Sequence, residues 1–213
     1  MLERSSVVAN RDMNRERALN GYVRELGVDV LDLVTERLAH GPVRWLDLCC
    51  GTGTALLECA ARVNDPALHI TGVDLVDFYA GPPHPRVELT TGSVTTYTPP
   101  HPVDLVTSVH GLHYVGDKLA ILTRGASWLT PDGILVANLD LTAVLSDQGH
   151  PLRRRLTGPL RAAGFTYDTR RHRITCTGPR DVRLPFRYLG ADDQAGPNYT
   201  GQPAVNSYYA DAP

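Results

Sequence analysis

Apolar positions in residues 43–140 form short runs that alternate with helical windows. The runs are VRWLDLC, LHITGVDLV, VELTTGS, VDLVTSV and ILVANLD, and the windows between them include TALLECAARV and KLAILTRGASWL. Short, almost wholly apolar strands that alternate with helices are typical of a parallel sheet covered on both faces. The pattern predicts an α/β fold, with Thr130-Pro131-Asp132-Gly133 as a turn before the last of these strands.

The regions on either side of this alternation have weaker patterns. Helical periodicity predicts two helices before it, over Arg11 to Leu26 and Asp29 to Ala39, ended by Gly41-Pro42. After Asp140, RRRLTGPLRAAGF predicts a helix that is broken or kinked near Gly158-Pro159. TRRHRITCTG and RDVRLPFRYLG then predict two strands, and the Tyr-dense residues beyond them show no regular period.

The length of 213 residues is sufficient for a single core. We expect one domain over 1–213. It would have an N-terminal helical cap over 1–41, a cofactor-binding half over 42–140, and a substrate-side half with the tail over 141–213.

Composition narrows the partners and the compartment. The net charge of −2 gives no overall attraction for nucleic acid, and no apolar run approaches the roughly 20 residues that cross a bilayer. The first residues have no apolar segment of a secretory signal, so a cytoplasmic protein is expected. Ten arginines crowd the C-terminal third, which indicates a solvated face or partner surface, or a site for an acidic partner or substrate.

The stretch LDLCCGTGTALLECA joins the first strand to a helix through a glycine-rich turn. Backbone N–H groups at such a helix N-terminus suit a polar or anionic ligand group. The G-x-G-x-x-G and G-K-[ST] patterns are both absent. Asp74 ends the second strand, where a carboxylate accepts hydrogen bonds from both hydroxyls of a ribose. A nucleoside-containing cofactor is therefore expected.

The doublet Cys49-Cys50 raises the question of thiol chemistry. In a cytosolic chain the four cysteines are expected to be free thiols, and neither a C-x-x-C pair nor a nearby histidine at ligand spacing indicates a metal site. A reactive thiolate at the helix N-terminus is a second interpretation. The first interpretation makes the cysteines incidental to any reaction.

Five motifs in order resemble the class I S-adenosylmethionine-dependent methyltransferases. WLDLCCGTG is similar to the family's hhD-x-G-x-G-x-G, with Cys49 at the first glycine, and its D-x-C-C-G-T-G form resembles the ubiquinone/menaquinone-type C-methyltransferases. GVDL resembles the acidic second motif, and TTGSV the third, with Ser93 in place of an aspartate that meets the adenine amino group. VDLVTSVHGLHYVGD and WLTPDGILVANLD resemble the fourth and fifth.

This resemblance covers about Val43 to Asp140 and implies a Rossmann-like, doubly wound, mostly parallel seven-stranded sheet with helices on both faces and an N-terminal helical lid. It implies methyl transfer from S-adenosylmethionine to a small-molecule acceptor, with S-adenosylhomocysteine as product. The implied cofactor-binding residues are Asp47, Cys49, Cys50, Gly51, Gly53, Asp74, Leu75, Ser93, Val94 and His110.

Methyl transfer is an in-line displacement, which needs a general base only when the acceptor holds its proton firmly. His113 and His110 follow the fourth strand and are the candidate catalytic groups, as bases or orienting groups. The alternative is that they cap the next helix or lie beneath the cofactor. Substrate contacts are expected from Tyr22, Asp140 and Tyr199. The tail is otherwise expected to pack on the core or on a second subunit of a homodimer.

Two other classes stay open. A methyltransferase-like scaffold could bind the cofactor without transferring methyl groups, in a regulatory role or another reaction. A nucleotide-dependent oxidoreductase on a similar fold is the other, although the missing G-x-G-x-x-G disfavours it.

No metal is expected, because histidine rather than a carboxylate follows the fourth strand. The acidic balance also disfavours nucleic-acid substrates.

Overall fold

The computed structural model describes residues 2–9 and 17–212. Its α-helices are α1 Leu19–Leu26, α2 Val30–Leu38, α3 Thr54–Val63, α4 Lys118–Ser127 and α5 Arg153–Ala162. Its strands are β1 Val43–Leu48, β2 Leu68–Asp74, β3 Val87–Thr91, β4 Val103–Ser108, β5 Leu129–Asn138, β6 Val144–Ser146, β7 Phe165–Asp168, β8 Arg173–Thr177, β9 Phe186–Asp192 and β10 Asn206–Asp211. Short 3-10 helices cover Leu2–Arg4, Gly111–Tyr114 and Leu141–Ala143.

Seven strands form the main sheet in the order β3-β2-β1-β4-β5-β8-β7. Strands β1 to β5 pair in parallel, and β8 runs antiparallel to both of its neighbours. The predicted mostly parallel, seven-stranded sheet is confirmed. The strand order reverses direction between β1 and β4, and open α/β sheets bind their ligands at this switch point, beyond the carboxyl ends of the strands.

Helices cover both faces of the sheet, as predicted. Successive side chains of a strand point to opposite faces, and in β1 Trp45 and Leu46 belong to two separate hydrophobic clusters. Trp45 lies in the cluster that α1, α2 and α3 complete, whereas Leu46 lies with α4 and α5. The central strands β1 and β4 are therefore buried from two sides, which explains their nearly continuous apolar runs.

The C-terminal residues form a small second sheet in the order β6-β10-β9. The absence of regular structure predicted for the tail was therefore wrong at β10. Tyr209 of this strand is buried in the core, and its hydroxyl donates to Asp117 Oδ1 at 3.0 Å. The strand was missed because pairing with two distant strands, rather than its own periodicity, makes it extended.

Three other element predictions need correction. The first helix begins at Leu19, Arg17 and Ala18 are not helical, and 11–16 lie outside the described residues. Residues 130–133 lie within β5, where pairing passes from Val103↔Leu129 to Leu105↔Ile134, so they bulge from the strand instead of preceding it. Helix α5 continues through Pro159 instead of breaking there. Proline has no N–H to donate to the carbonyl of Arg155, but Arg155 is exposed, so water can take the place of that donor.

Candidate functional site

A cavity of about 400 Å³ lies beyond the carboxyl ends of β1 to β4. The glycine turn, the end of β2, the segment after β3 and the segment after β4 form its walls, and residues from the N-terminal segments cover it. Its lining residues are Glu3, Val8, Arg17, Arg24, Cys49, Gly51, Asp74, Leu75, Gly92, Ser93, Val94, Thr95, His110, Gly111, Tyr114, Val115, Gly116, Thr200 and Gln202. Seven of the ten predicted cofactor-binding residues, His110 among them, lie directly in this wall.

The turn after β1 depends on left-handed backbone at Cys49, Gly51 and Gly53, with φ of 61°, 61° and 74°. Cys49 thus occupies a conformation that favours glycine. A Cβ on Gly53 would lie 2.9 Å from Leu89 Cδ2, so the left-handed backbone and the limited space both favour glycine there. Gly53 also begins α3, and the turn therefore presents the N-terminus of that helix to the cavity.

The thiols give no support to reactive chemistry at Cys50. All four cysteines are free. Burial raises the pKa of Cys50 well above its ordinary value, and the nearby Asp47 charge raises it further. Cys50 lies in the core beside Gly72 instead of lining the cavity. The thiolate interpretation is wrong for this residue.

Asp47 lies beneath the turn, fully buried and outside the cavity wall. The Tyr22 hydroxyl donates to Asp47 Oδ2 at 2.6 Å, and the Thr107 hydroxyl donates to Oδ1. Thr107 in turn accepts from Trp45 Nε1 at 2.7 Å. Burial raises the pKa of Asp47 to about 7, against the two hydroxyl donors, which lower it. Asp47 therefore ties α1, β1 and β4 together below the ligand site.

Tyr22 was predicted to contact the acceptor, but its hydroxyl is committed to Asp47 and its ring packs edge-on to Trp45. It is 2% exposed and is not part of the cavity wall. Leu19, Tyr22 and Leu26 share one helical face, and this spacing was the available signal that Tyr22 belongs to the core.

Replacing Tyr22 with phenylalanine should lower the free energy of unfolding by about 1–3 kcal/mol, because a buried carboxyl loses a donor. The loss should be larger at pH 8 than at pH 5. In the folded protein the pKa of Asp47 is raised to about 7, so its carboxyl is mostly charged at pH 8 and mostly neutral at pH 5. The hydrogen bond from Tyr22 is therefore charge-assisted, and stronger, at pH 8. Urea denaturation at both pH values measures this. Tyr79→Phe, whose hydroxyl meets Thr91 at an exposed position, is the control. Equal losses in the two variants would contradict the buried network.

Asp74 lies at the end of β2 in the middle of the cavity wall and is 5% exposed. Its Oδ2 accepts from Gly51 N at 2.9 Å and its Oδ1 from Val76 N at 3.1 Å. The first bond holds the glycine turn against the strand end. The carboxylate is thus fixed by backbone donors at the position predicted for ribose recognition.

The segment after β3 forms one end of the cavity. Leu75, Ser93 and Val94 lie there as predicted for the nucleoside part of the cofactor. The Ser93 hydroxyl is already bonded to Glu3 of the N-terminal 3-10 helix, and its Oγ lies 2.6 Å from Thr95 Oγ1. Sequence reasoning gave no role to Glu3, because no motif surrounds it.

His110 lines the opposite end, with a φ of 58°. Its Nε2 lies 3.2 Å from Glu25 Oε2, and its Nδ1 lies 3.3 Å from the Tyr199 hydroxyl. Burial and the Arg17 charge lower the pKa of His110 to about 4, even though Glu25 raises it. The contact with Glu25 is therefore a hydrogen bond from a neutral imidazole rather than an ion pair. Because Glu25 only accepts, Nε2 carries the proton and Nδ1 accepts from Tyr199.

His113 lies behind His110, 1% exposed, and does not line the cavity. The two rings stack with centroids 5.5 Å apart, and the Tyr199 ring meets His113 edge-on at 5.2 Å. Neither ring nitrogen has a hydrogen-bond partner among residues 2–9 and 17–212. Burial lowers the pKa of His113 well below its ordinary value, and the His110 and Lys118 charges act in the same direction. His113 is thus a neutral imidazole that supports His110.

Asp140 lines a different cavity, of about 240 Å³, with His172 and Tyr167. Its Oδ1 accepts from the N–H and the hydroxyl of Thr142. Tyr199 stacks on His172 with centroids 4.0 Å apart and also reaches His110, so its ring stands between residues of the two cavity walls. Asp140 therefore lines the second cavity, whereas His110 lines the first.

Lys118 is the only lysine of the chain and is fully buried. Its Nζ donates to Val115 O at 2.9 Å, Val205 O at 2.8 Å and Ser207 Oγ at 2.7 Å. Burial lowers the pKa of Lys118 to about 7. Because Val115 lines the cavity and Ser207 belongs to β10, this one amine joins the cavity wall to the C-terminal sheet.

Within 2–9 and 17–212, no group of three or more His, Cys, Asp or Glu side chains is arranged to hold a metal ion. No helix in the same part of the chain is long and apolar enough to pass through a bilayer.

The fold, the glycine turn and the acidic end of β2 together define a Rossmann-like, class I methyltransferase fold. A family model described as "Methyltransferase domain" matches residues 15–172. The chain belongs to this methyltransferase-domain family, which confirms the resemblance found in its motifs. S-adenosylmethionine is the cofactor that this membership assigns to the chain.

Among proteins of known function, trans-aconitate 2-methyltransferase of Streptomyces avermitilis is 31% identical over 172 residues. The match covers 76% of this chain and 60% of that protein, so the chain spans less than two thirds of this relative's length. Similar solved structures include the [4+2]-cyclase SpnF (22% identity, TM-score 0.43, covering 77% of this chain and 58% of that one). Another is CalS10 of Micromonospora echinaspora, an amino pentose methyltransferase bound to S-adenosylmethionine (24% identity, TM-score 0.39, 56% and 54%).

Proposed function

We propose that this chain is a methyltransferase that transfers the methyl group of S-adenosylmethionine to a small anionic acceptor by in-line displacement. The observation that carries the proposal is one continuous cavity. It runs from Asp74 and the glycine turn to His110 and Arg17. Its volume of about 400 Å³ is within the usual range of small-molecule sites.

The residues present fit the cofactor. Asp74 offers a fixed carboxylate to the ribose hydroxyls, and the turn at Gly51 offers room and backbone donors beside it. Leu75 and Val94 provide an apolar wall for the base. The cofactor supplies a methyl group on a positively charged sulfur, and the chain's contribution is to hold the acceptor in line with it.

Positive charge marks the acceptor end. Arg17 and Arg24 both line the cavity near His110. Arg24 is paired with Glu25, but no carboxylate among residues 2–9 and 17–212 lies within ion-pair distance of Arg17. Guanidinium groups bind carboxylates in a bidentate manner. The cavity wall therefore has two guanidinium groups at this end. One can bind the carboxylate of the cofactor, and the other can bind a carboxylate of the acceptor.

The histidines also favour an acceptor that is already ionised. A general base works best when its pKa lies near the operating pH, but the pKa of His110 is lowered to about 4 and that of His113 also falls. Both are therefore weak bases. A carboxylate needs no base, and His110, held by Glu25 and Tyr199, then serves only as a fixed wall at the acceptor end of the cavity. The relative from Streptomyces avermitilis is named for methylating trans-aconitate, a carboxylate.

Calorimetry with S-adenosylhomocysteine, followed by mass spectrometry of products, tests the proposal. The protein should bind the product cofactor and form methyl esters of di- and tricarboxylates such as trans-aconitate, but leave the trimethyl ester unreacted. Arg17→Ala should raise the KM of the carboxylate about tenfold or more, through loss of a charged hydrogen bond. Arg62→Ala, exposed on α3, is the control.

Different failures have different meanings. If S-adenosylhomocysteine does not bind, the assigned cofactor is wrong. Binding without a methylated product over a broad acceptor panel would favour a scaffold with a non-methylating role. Methylation of neutral acceptors alone, or an Arg17→Ala effect confined to cofactor affinity, would contradict the anionic acceptor.

A further inference from the structure

The cavity has a direction, because the sheet fixes which end holds the base of the cofactor. Neighbouring strands lie about 4.8 Å apart, and β3, β2, β1 and β4 follow one another across the sheet. Asp74 at the end of β2 is the ribose carboxylate of the proposed function. The base therefore lies toward β3, against Leu75 and the segment 92–95, and away from His110.

An adenine base presents an exocyclic amino group, which needs a hydrogen-bond acceptor at that end. Ser93 occupies the expected place, but its hydroxyl has no remaining capacity. Its single proton is donated to Glu3 Oε1, and Ser93 Oγ accepts from Thr95 N at 3.1 Å and lies 2.6 Å from Thr95 Oγ1. Ser93 is thus a holder of Glu3 rather than the acceptor itself.

Glu3 lies in the cavity wall and is oriented by the Ser93 hydroxyl, which Thr95 holds in turn, because the Thr95 hydroxyl lies closer to Ser93 Oγ, at 2.6 Å, than to Glu3 Oε1, at 3.5 Å. These contacts use Oε1 alone. A carboxylate has about four acceptor positions on its two oxygens, so the Ser93 donor on Oε1 leaves Oε2 with its acceptor capacity.

The segment that carries Glu3 is itself anchored. Val8 is buried in the cavity wall, and its N–H donates to Ser5 Oγ at 3.3 Å. Leu2 contacts the segment after β4, where a Cβ on Gly116 would lie 3.1 Å from Leu2 Cδ2. Leu2 therefore meets the β4 side of the cavity, and the neighbouring Glu3 meets its β3 side.

We propose that the Glu3 carboxylate, held by Ser93 and Thr95, accepts the hydrogen bond of the adenine amino group and thereby selects adenine in the cofactor. The acceptor comes from the N-terminal segment instead of from the segment after β3. This inference rests on the proposed function, because it requires S-adenosylmethionine in the cavity.

Calorimetry with two ligands tests it on the whole chain. S-adenosylhomocysteine carries the amino group, and S-inosylhomocysteine has an oxygen in its place. Glu3→Ala should weaken binding of the first by roughly tenfold to a hundredfold, the range of a hydrogen bond to a charged group, and leave the second unchanged or tighter. The double variant Glu3→Ala/Ser93→Asp should recover most of the lost affinity, because it returns a carboxylate to the base. Glu36→Ala, exposed on α2, is the control and should match the unmodified protein.

The outcomes separate this inference from the proposed function. No binding of S-adenosylhomocysteine by the unmodified protein would overturn both. If that binding is present, an unchanged dissociation constant in Glu3→Ala overturns the role of Glu3 alone. Equal weakening of both ligands would also overturn it, because Glu3 would then only cover the cavity. Failure of Ser93→Asp to restore adenine preference would show that the carboxylate does not act on the base.

Discussion

Replacing Asp74 with alanine should weaken the binding of S-adenosylhomocysteine about a hundredfold or more. Asp74 is fixed by Gly51 N and Val76 N at the centre of the cavity wall. The variant loses an acceptor for two ribose hydroxyls and also releases the glycine turn from the end of β2. A hydrogen bond to a charged group contributes about 1.5–3 kcal/mol, and each 1.4 kcal/mol changes a dissociation constant about tenfold.

The control for this variant is Asp77→Ala, which removes an exposed carboxylate just beyond β2 that is not part of the cavity wall. Calorimetry should show its affinity close to that of the unmodified protein. At saturating cofactor, turnover by Asp74→Ala should stay within several-fold of normal, because the groups near His110 are unchanged. An unaltered dissociation constant together with a large fall in turnover would contradict this division of roles.

Replacing Lys118 with methionine should lower the free energy of unfolding by about 2–4 kcal/mol at pH 7. Methionine fills a similar volume but leaves the carbonyls of Val115 and Val205 without their donor, and each such buried group costs about 1–3 kcal/mol. For a chain of this size, a melting temperature falls roughly 2–4 °C for each kcal/mol. Thermal and urea unfolding measure the effect, with the exposed Arg62→Met as control.

The pH dependence of the same pair of proteins gives a second readout. The pKa of Lys118 is lowered to about 7, whereas that of an unfolded lysine is about 10.4. Between these values the unfolded state binds more protons, so folding stability from this group rises with pH. The neutral amine still donates to two carbonyls and accepts from the Ser207 hydroxyl. The advantage of the unmodified protein over Lys118→Met should therefore grow from pH 7 to pH 10, and a constant difference would contradict the lowered pKa.

The sequence was sufficient to predict the elements from β1 to β5, because β1, β2, β4 and β5 are largely buried on both faces and each helix has a clear apolar stripe. It was also sufficient to place Asp74 and the turn at Gly51 in one wall, because carboxyl ends of parallel strands meet at one edge. The unusual backbone of Cys49 follows from its position where glycine is commonest. The division into a cap, a cofactor half and a substrate half stays a prediction.

Other parts of the site could not be predicted, because tertiary contacts bring them to the cavity. Glu3 and Arg17 lie in segments with no motif, and only the fold shows that they meet the cavity over β3 and beside His110. The histidines were predicted at the correct strand end, but their low basicity depends on burial that spacing does not reveal. The pairing of β10 with β6 is equally hidden, because it joins residues that are far apart in the chain.

The sole lysine of the chain has a consequence for chemical labelling. Lys118 is fully enclosed by Val115, Val205 and Ser207, so the folded chain presents no lysine amine to an acylating reagent or an amine-directed cross-linker. Acylation of this amine requires β10 to separate from the cavity wall first. The extent of side-chain acylation therefore reports directly on the opening of the C-terminal sheet, with no competing lysine to obscure the signal.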